Sequence, residues 1–300
     1  MSFSYETKNE LCRVPVQKLC CARAEAYGIL LYCNTFNSAE VRIITENPNF
    51  AGRLPRLFHR AFGLRFDRLP EEGQPGKLVF QITERKKLDH VINLLGYDPE
   101  QNPVLHINFG MLEEECCRAS FLRGVFFAGG SSTDPLKRYH LELATSHLQV
   151  SRELDSLLRD SGFLPKSVNR NGSFVTYFKQ SEHIEEFLTL IGAPVAAMNV
   201  MSAKVEKDLR NSVNRRLNCD SANLDKAVDA AQEQLEAIRR IAAAGLMEQL
   251  PDKLQQTAAL RLENPELTLS ELAGEFDPPV TKSCLNHRLR KMMELAKNLS

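Results

Sequence analysis

The chain has 300 residues, of which 43 % are hydrophobic and 25 % are charged, as is typical of a globular protein. Its 38 basic and 38 acidic side chains balance, so a nucleic-acid partner has to be inferred from local patches rather than from net charge. No apolar run approaches the roughly 18 residues of a membrane span, and the first residues do not resemble a signal peptide. We therefore expect a cytoplasmic protein of about two domains with no membrane partner.

The eight cysteines are expected to be free thiols in a reducing compartment. Four of them form two adjacent pairs, Cys20-Cys21 and Cys116-Cys117. Neither pair has a partner at the C-x-x-C or C-x-x-H spacing that is typical of zinc sites. We interpret the pairs as small buried residues rather than metal ligands, and we predict no metal and no cofactor.

In chain order, the first strong feature is a helix pattern that occurs twice. The segments CCARAEAYGILLYCN at 20–34 and CCRASFLRGVFFAGG at 116–130 are both apolar, and their cysteine pairs and central glycines lie 96 residues apart. Small residues four apart line one face of each helix: Ala24 and Gly28 in the first, Gly124 and Ala128 in the second. This pattern favours two helices packed backbone to backbone at the centre of a pseudo-two-fold dimer. The alternative is that each is a core helix of its own copy.

The 96-residue offset extends beyond these helices. The segment at 77–96 aligns without a gap with the segment at 173–192, and each predicts a strand followed by an amphipathic helix that ends at glycine. The segments between predict further strands and helices: EVRIIT at 40–45, YHLELAT at 139–145, and helices at 49–63 and 147–162. Each copy therefore has the order α-β-β-α-β-(β)-α. Two copies predict an α+β domain with a mixed sheet and helices on one face.

The segment LRGVFFAGGS at 122–131 resembles the LAGLIDADG motif of homing endonucleases. The matching apolar, small and terminal positions are Leu122, Gly124, Ala128, Gly130 and Ser131. The resemblance implies two αββαββα repeats whose motif helices form their interface, with the last acidic residue of each motif binding the catalytic metal. Those two positions are Gly129 and Cys33 here, and Asp134, the nearest acid, lies in a loop. We therefore expect no catalytic residue and no catalytic metal.

The chain is also similar to the bacterial WhiA family of DNA-binding regulators. The similarity rests on the opening SFSYETKNEL, on RNSVNRRLNCDSANLDKAVDAA at 210–231 and on LTLSELAGEFDPPVTKSCLNHRLRKM at 267–292. It implies an α+β fold class, with a duplicated αββαββα LAGLIDADG-like domain followed by an all-α helix-turn-helix domain. It also implies a non-enzymatic transcription regulator of cell division, chromosome segregation and, in spore formers, sporulation. Double-stranded DNA is the implied partner and the nucleoid the implied location, and another transcription regulator is kept open as a partner.

We predict four regions along the chain: an N-terminal segment at 1–19, the duplicated domain at 20–200 with copies at 20–110 and 116–200, a basic connecting helix at 201–217, and the helix-turn-helix domain at 218–300. The connecting helix has an apolar stripe: Val205, Leu209, Val213 and Leu217. Its basic side chains, including Arg210 and Arg215, either contact phosphates or form a solvated face. An apolar seam from Leu224 to Ala242 predicts a long helix that ends near Gly245.

Three shorter helices follow at 251–263, 270–276 and 281–296, with Ser270 as the predicted N-cap of the second and Thr281 or its neighbour as that of the third. The short connection DPPV cannot continue a helix, so the last two helices are expected to meet at a sharp angle. Their predicted core comprises Leu269, Leu272, Phe276, Leu285, Leu289 and Met292. The predicted DNA-binding residues lie on the last helix: Lys282, Ser283, Asn286, His287, Arg288, Arg290 and Lys291. We expect residues near its start to face base edges and the later arginines to reach phosphates. The alternative is a three-helix interaction module.

A secondary DNA-binding surface is predicted in the first copy. Arg53, Arg56 and Arg60 fall on one helical face, and Arg65 and Arg68 follow. Arg210 and Arg215 of the connecting helix are added to this secondary set. The alternative for the first-copy cluster is a solubilising face. For the protein as a whole, the alternatives are an active LAGLIDADG-type homing endonuclease, which the missing acids disfavour, and a protein- or ligand-binding scaffold.

Overall fold

The computed structural model describes residues 2–71, 76–98 and 104–299, and the chain divides into two compact units. The first unit comprises residues 1–208 and the second residues 209–300. Parts of the predicted first copy, at 72–75 and 99–103, lie outside the described residues. None of the helices in the described ranges is long and apolar enough to cross a membrane. The finer domain boundaries given above stay predictions.

The first copy of the repeat has the predicted order of helices and strands. After the N-terminal helix α1 (Phe3–Leu11), it comprises α2 (Leu19–Tyr32), β1 (Thr35–Phe36), β2 (Val41–Thr45), α3 (Pro48–Phe62), β3 (Leu78–Ile82) and α4 (Arg85–Leu94). The strands pair in the order β1-β2-β3. A single bridge between Arg68 and Gln81 lies on the free side of β3.

The second copy repeats this order and has a fourth strand. It comprises α5 (Glu115–Gly129), β4 (Gly130–Ser132), β5 (Leu141–Thr145), α6 (Leu148–Asp160), β6 (Lys166–Arg170), β7 (Ser173–Phe178) and α7 (Ser181–Ile191). Its sheet has the order β4-β5-β7-β6. The turn between β6 and β7 uses two left-handed residues, Asn171 and Gly172, as a tight hairpin requires.

The prediction of a mixed sheet is wrong, because every strand pairing in the described part of the chain is antiparallel. Helix α6 returns the chain so that β6 runs in the same direction as β5. However, β7 lies between them and is antiparallel to both. The helical crossover therefore brings two strands into a common direction without making them neighbours.

The paired-helix prediction is confirmed, because α2 and α5 pack directly against each other. A β carbon added at Gly28 would collide with the Phe121 carbonyl oxygen and lie 2.9 Å from the Val125 nitrogen. A β carbon added at Gly124 would collide with the Glu25 carbonyl oxygen in the same way. These contacts join residues about 96 positions apart, so the two helices run parallel with their N-terminal ends together. Glycine at both positions allows this backbone contact.

The second unit is helical in its described residues. It contains the later part of α8 (Pro194–Ala243) together with α9 (Asp252–Glu263), α10 (Leu269–Gly274) and α11 (Lys282–Lys297). The predicted connecting helix and the following long helix are therefore one continuous helix. The linking residues 218–223 are mostly polar but include no glycine or proline that would end it. Gly245, in the left-handed conformation, follows its end as predicted.

The core of the second unit lies between its helices and agrees with the sequence prediction. Leu272, Phe276, Leu285, Leu289 and Met292 are buried, and Leu269 packs on them. From α8, the residues that join this core are Ala237, Ile238 and Ile241, whereas Leu224 and Val228 of the predicted seam are 62 % and 47 % exposed. Only the last part of the seam therefore packs inside this unit.

The caps of the last two helices differ in how well they were predicted. Thr281 caps α11 by accepting a hydrogen bond from the Cys284 nitrogen at 3.2 Å, as predicted. The N-cap of α10 is Thr268 and not Ser270, which lies inside the helix. Thr268 and Glu271 form a reciprocal capping box that satisfies two backbone N–H groups. The box begins the helix two residues earlier than predicted.

Candidate nucleic-acid interface

Helix α11 has one buried face and one polar exposed face. Leu285, Leu289, Met292 and Ala296 pack inward. Six of the seven residues predicted to bind DNA lie together on the opposite, exposed side: Lys282, Ser283, Asn286, His287, Arg290 and Lys291. Because residues three and four apart on a helix are neighbours, these six form one continuous stripe from the first turn onward. We call this stripe the α11 face.

Arg288, the seventh predicted residue, lies at the edge of the α11 face. It is half-buried, and its guanidinium carbon is 5.4 Å from the centre of the Phe276 ring. This cation–π contact holds the side chain in a defined direction beside α10. Arg290, by contrast, is exposed and pairs with Glu294 at 3.1 Å one turn further along. Its charge is therefore partly offset within α11 itself.

The positive charge of the second unit is concentrated on α11. The unit carries equal numbers of basic and acidic side chains, thirteen of each, whereas α11 has five basic side chains and one acidic one. Taken together, the rest of the unit is therefore net acidic, although residues 210–216 of α8 carry three arginines and no acidic side chain. A local excess of this kind can attract a polyanion although the whole unit is neutral.

Helices α10 and α11 are arranged as a helix-turn-helix, with a longer connection than the sequence indicated. The connection spans residues 275–281, whereas the simplest motif of this type has a turn of about three or four residues. The Val280 nitrogen donates to the Ala273 carbonyl oxygen at 3.0 Å and fixes the connection against the end of α10. The N-terminus of α11 is left exposed, since Thr281 and the three residues after it are solvent-accessible.

Arg53 has to be removed from the predicted secondary DNA surface. It is only 6 % exposed, and its guanidinium donates to both carboxylate oxygens of Glu25, at 2.6 and 2.9 Å. It also donates to the carbonyl oxygens of Cys12 and Val14. The helical spacing placed Arg53 beside Arg56 and Arg60, but α3 turns this position toward the core, where the side chain is an internal ion-pair partner.

The other residues of the secondary set are exposed. Arg56 and Arg60 lie on the outer side of α3, and Arg60 donates to the Gln17 carbonyl oxygen at 3.0 Å. Arg210 and Arg215 lie on an exposed stretch of α8. Whether these four side chains contact DNA stays a prediction. Two other lysines of the same helix are bound within the first unit: Lys204 pairs with Glu182, and Lys207 lies 4.2 Å from the centre of the Tyr139 ring.

The sheets carry polar groups that the sequence analysis did not select. Along β2 and β3, buried side chains alternate with Arg42 and Gln81, which lie on the open side. In the second sheet, β6 is exposed along its whole length, from Lys166 to Arg170. The alternation of apolar and polar residues in a strand was the available signal. It was used to find the strands and not to identify their exposed faces.

The ends of the two motif helices cannot hold a metal ion in the way that the LAGLIDADG motif implies. A β carbon at Gly129 would lie 2.6 Å from Cδ1 of Tyr32 and collide with the Ala144 carbonyl oxygen, so no side chain fits there. At the matching position, the Cys33 thiol lies within hydrogen-bond distance of the carbonyl oxygens of Leu30 and Thr35, either of which can accept its single hydrogen. Burial raises the pKa of the Cys33 thiol to about 12, which keeps it protonated and neutral.

The apolar stripe predicted on the connecting helix faces solvent. Leu209, Val213 and Leu217 are 63 %, 56 % and 60 % exposed. Exposed apolar residues in a row are typical of surfaces that contact another protein. The expectation that another transcription regulator contacts this chain stays a prediction.

The fold and the site define a class of protein: a duplicated LAGLIDADG-like α+β unit with degenerate motif ends, followed by a helix-turn-helix. Comparison with known proteins gives the same order of the two kinds of domain. The model of the WhiA LAGLIDADG-like domain matches residues 118–210, and that of the WhiA C-terminal HTH domain matches residues 213–296.

Similar proteins extend over the whole chain. The probable cell division protein WhiA of Ruminiclostridium cellulolyticum is 36 % identical over 319 residues, which cover 100 % of this chain and 98 % of that protein. The protein of the same name from Desulfitobacterium hafniense is 38 % identical over 308 residues, which cover 100 % of this chain and 96 % of that protein. The chain belongs to the WhiA family.

Solved structures show the same fold. Full-length WhiA from Thermotoga maritima is similar with a TM-score of 0.61 and 23 % identity, covering 100 % of this chain and 99 % of that one. The N-terminal LAGLIDADG domain of WhiA is similar with a TM-score of 0.50 and 20 % identity, covering 64 % of this chain and 92 % of that one. At these identities the likeness concerns the fold alone.

Proposed function

We propose that this protein binds double-stranded DNA through the α11 face and regulates transcription without enzymatic activity. The single observation that carries the proposal is the stripe of six exposed polar and basic residues on the second helix of a helix-turn-helix. Relatives along the whole chain are named probable cell division proteins, which supports a role in cell division. A role in chromosome segregation is a further part of the proposal. Control of sporulation genes, in an organism that forms spores, and association with the nucleoid are parts of the same proposal.

In this proposal, the first turns of α11 contact base edges and its later turns contact phosphates. Lys282, Ser283 and Asn286 occupy the first turns, where a recognition helix in the major groove contacts base edges. An Asn side chain can pair with adenine and a Lys with guanine at those edges. His287, Arg290 and Lys291 lie further along, where phosphate contacts set position and add affinity without sequence preference. The Phe276 ring holds Arg288 in position for a phosphate beside α10.

The non-enzymatic part of the proposal is supported by the motif ends. Metal-assisted hydrolysis of DNA needs carboxylates that hold divalent ions. Gly129 leaves no space for a side chain, and Cys33 is a neutral thiol within hydrogen-bond distance of two carbonyl oxygens. We expect supercoiled plasmid and chromosomal fragments to stay intact with Mg²⁺ or Mn²⁺. Metal-dependent nicking that disappears when a residue near these helix ends is changed would contradict this part.

The α11 face is tested with the full chain and a DNA fragment identified by genome-wide mapping of bound DNA in cells. Lys282→Gln and Asn286→Ala are expected to reduce the preference for that fragment over random DNA, by about 1–3 kcal/mol for each base edge that is no longer bound. The matched control is Lys253→Gln, which removes the same charge from an exposed site on α9. Equal losses in the control, or no loss in either α11 variant, would refute the assignment.

A further inference from the structure

The parallel packing of α2 and α5 brings the two cysteine pairs together. The sulfur atoms of Cys20, Cys21, Cys116 and Cys117 all lie within 4.8 Å of one another, and none of the four is in a disulfide. A zinc site was not expected, because neither pair has a further ligand at zinc-site spacing in the sequence. That criterion overlooks ligands that are distant in the sequence and close in the fold. The four thiols come from equivalent positions of two helices whose first turns meet. The expectation that they are all buried is also wrong, because Cys20 is exposed.

A bound cation has to displace the thiol protons here, because burial raises the pKa of the Cys117 thiol to about 12 and that of the Cys21 thiol above its usual range. Each pair occupies the second and third residues of its helix, since α2 begins at Leu19 and α5 at Glu115. The positive dipole ends of two helices therefore lie close to the four sulfur atoms. The Lys18 ammonium is 4.0 Å from the Cys116 sulfur and adds a positive charge. A group of four thiolates around a divalent ion has net negative charge, which these features offset.

The four thiols differ in solvent exposure, and the cluster is open to solvent on the side of Cys20. Cys117 is buried, Cys21 and Cys116 are half-buried, and Cys20 is exposed. An ion can therefore enter from solvent past Cys20, while Cys117 closes the inner side. Core packing does not explain the arrangement, because an exposed cysteine contributes nothing to an apolar core.

We propose that Cys20, Cys21, Cys116 and Cys117 bind one divalent metal ion of the zinc class and fasten the N-terminal ends of α2 and α5 together. Four thiolates in tetrahedral geometry are the ligand set of structural zinc sites, with Zn–S distances of about 2.3 Å and hence sulfur–sulfur distances of about 3.8 Å. The present separations need to shrink by only about 1 Å. The site lies at the end of the helix pair opposite to Gly129 and Cys33, and it does not depend on the proposed DNA binding.

The test measures metal in the full-length protein, purified in reductant without a chelating column or a metal-affinity tag. We expect one zinc ion per chain by elemental analysis. The variant Cys20→Ser/Cys116→Ser removes one exposed and one half-buried ligand, and its zinc affinity is expected to fall by more than about 100-fold, since even indirect partners of a metal site contribute 10- to 100-fold. The matched control is Cys219→Ser/Cys284→Ser, which removes two exposed thiols of the second unit and is expected to keep its zinc.

Cobalt(II) gives an independent readout, because its visible absorption reports tetrahedral thiolate coordination. The wild type and the control are expected to show this band, and the variant to lack it. Circular dichroism verifies that each protein is folded, and Cys20→Ser alone replaces the double variant if the latter does not fold. Zinc absent from the wild type even after metal is added, zinc retained by the folded variant, or four thiols that pair as disulfides in reductant would each overturn the proposal.

Discussion

Glu25 is a single buried carboxylate that joins the two copies of the repeat. Arg53 of the first copy donates to both of its oxygens, and Arg123 of the second copy donates to it at 3.0 Å. Other N–H groups of the two arginines donate to carbonyl oxygens, among them those of Val14 and Ile191. All three side chains are at least nine-tenths buried. Two buried positive charges therefore depend on one carboxylate.

Glu25→Gln is expected to lower the free energy of unfolding by about 3–5 kcal/mol, since it leaves two buried guanidinium groups without a counter-charge. The measurement is urea-induced unfolding at neutral pH. A triple variant, Glu25→Met/Arg53→Leu/Arg123→Met, replaces the whole group by apolar side chains and should recover most of the loss. A loss below about 1 kcal/mol for Glu25→Gln would show that the ion group is not structurally important.

Gly124→Ala tests the backbone contact between α2 and α5 with the smallest possible change. The added methyl group would collide with the Glu25 carbonyl oxygen and lie 3.0 Å from the Ile29 nitrogen, so the helices must separate. We expect destabilisation of about 3 kcal/mol, the upper end for overpacking, seen as an earlier thermal transition. The control is Gly52→Ala on α3, where nothing lies within 4 Å. That change should stabilise by about 0.5–1 kcal/mol, and similar effects at both sites would contradict the paired-helix packing.

At the scale of the element, helix α10 is short enough for its cap to determine its stability. It has six residues, and its first turn is closed by the Thr268–Glu271 capping box. Thr268→Ala is expected to cost about 1 kcal/mol, within the 0.5–2 kcal/mol range of such caps, because the Glu271 nitrogen loses its acceptor. Ser270→Ala, at the position that the sequence suggested, should cost less than half of this. Urea-induced unfolding of both variants measures the difference, and equal losses would contradict the capping box.

The cap also has a pH dependence of known sign. The hydrogen bond with Thr268 holds the pKa of the Glu271 carboxyl below its usual range. The contribution of the charged carboxylate is therefore present above the unfolded pKa of about 4.3 and is lost as the pH falls through the folded value. The stability difference between the wild type and Thr268→Ala is expected to shrink below about pH 4.

Elements with strong apolar periodicity were predicted from the sequence, and elements fixed by tertiary contacts were not. Helices α3 and α6 lie where the periodicity placed them, because one face of each is buried, whereas α2 and α5 were found from their repeated apolar segments and are buried on all sides over most of their length. The three-residue strand β4 is too short to show alternation. The continuity of α8 depends on residues 218–223, which are mostly polar and show no apolar periodicity that would have predicted a helix.

The direction of a functional side chain could be predicted where the residues that determine it are close in the sequence. The α11 face follows from spacing along one helix, and six of its seven predicted residues lie on it. The inward direction of Arg53 depends on Glu25, 28 positions away, and could not be read from α3 alone. The cysteine cluster was within reach of the sequence, since the same 96-residue offset that aligned the helices also superimposes the cysteine pairs.

At the scale of the molecule, the two units have no overall charge to attract DNA. Each carries equal numbers of acidic and basic side chains. Binding must therefore depend on local patches, and two of those predicted from the sequence can be compared directly: the α11 face in the second unit, and Arg56 with Arg60 in the first. The salt dependence of affinity distinguishes the two, because each neutralised phosphate releases counterions.

We expect the α11 face to supply most of the affinity of the full chain. Lys291→Gln should weaken binding to target and random DNA alike and flatten the plot of log affinity against log salt by about 0.9, the value for one phosphate contact. Arg56→Gln/Arg60→Gln removes two charges from the first unit and should change the slope by less than half of that amount. Fluorescence anisotropy with one labelled fragment at several salt concentrations measures both slopes. If the α3 variant flattens the slope by about 1.8 and Lys291→Gln is harmless, the DNA site belongs to the repeat unit and the assignment to α11 is wrong.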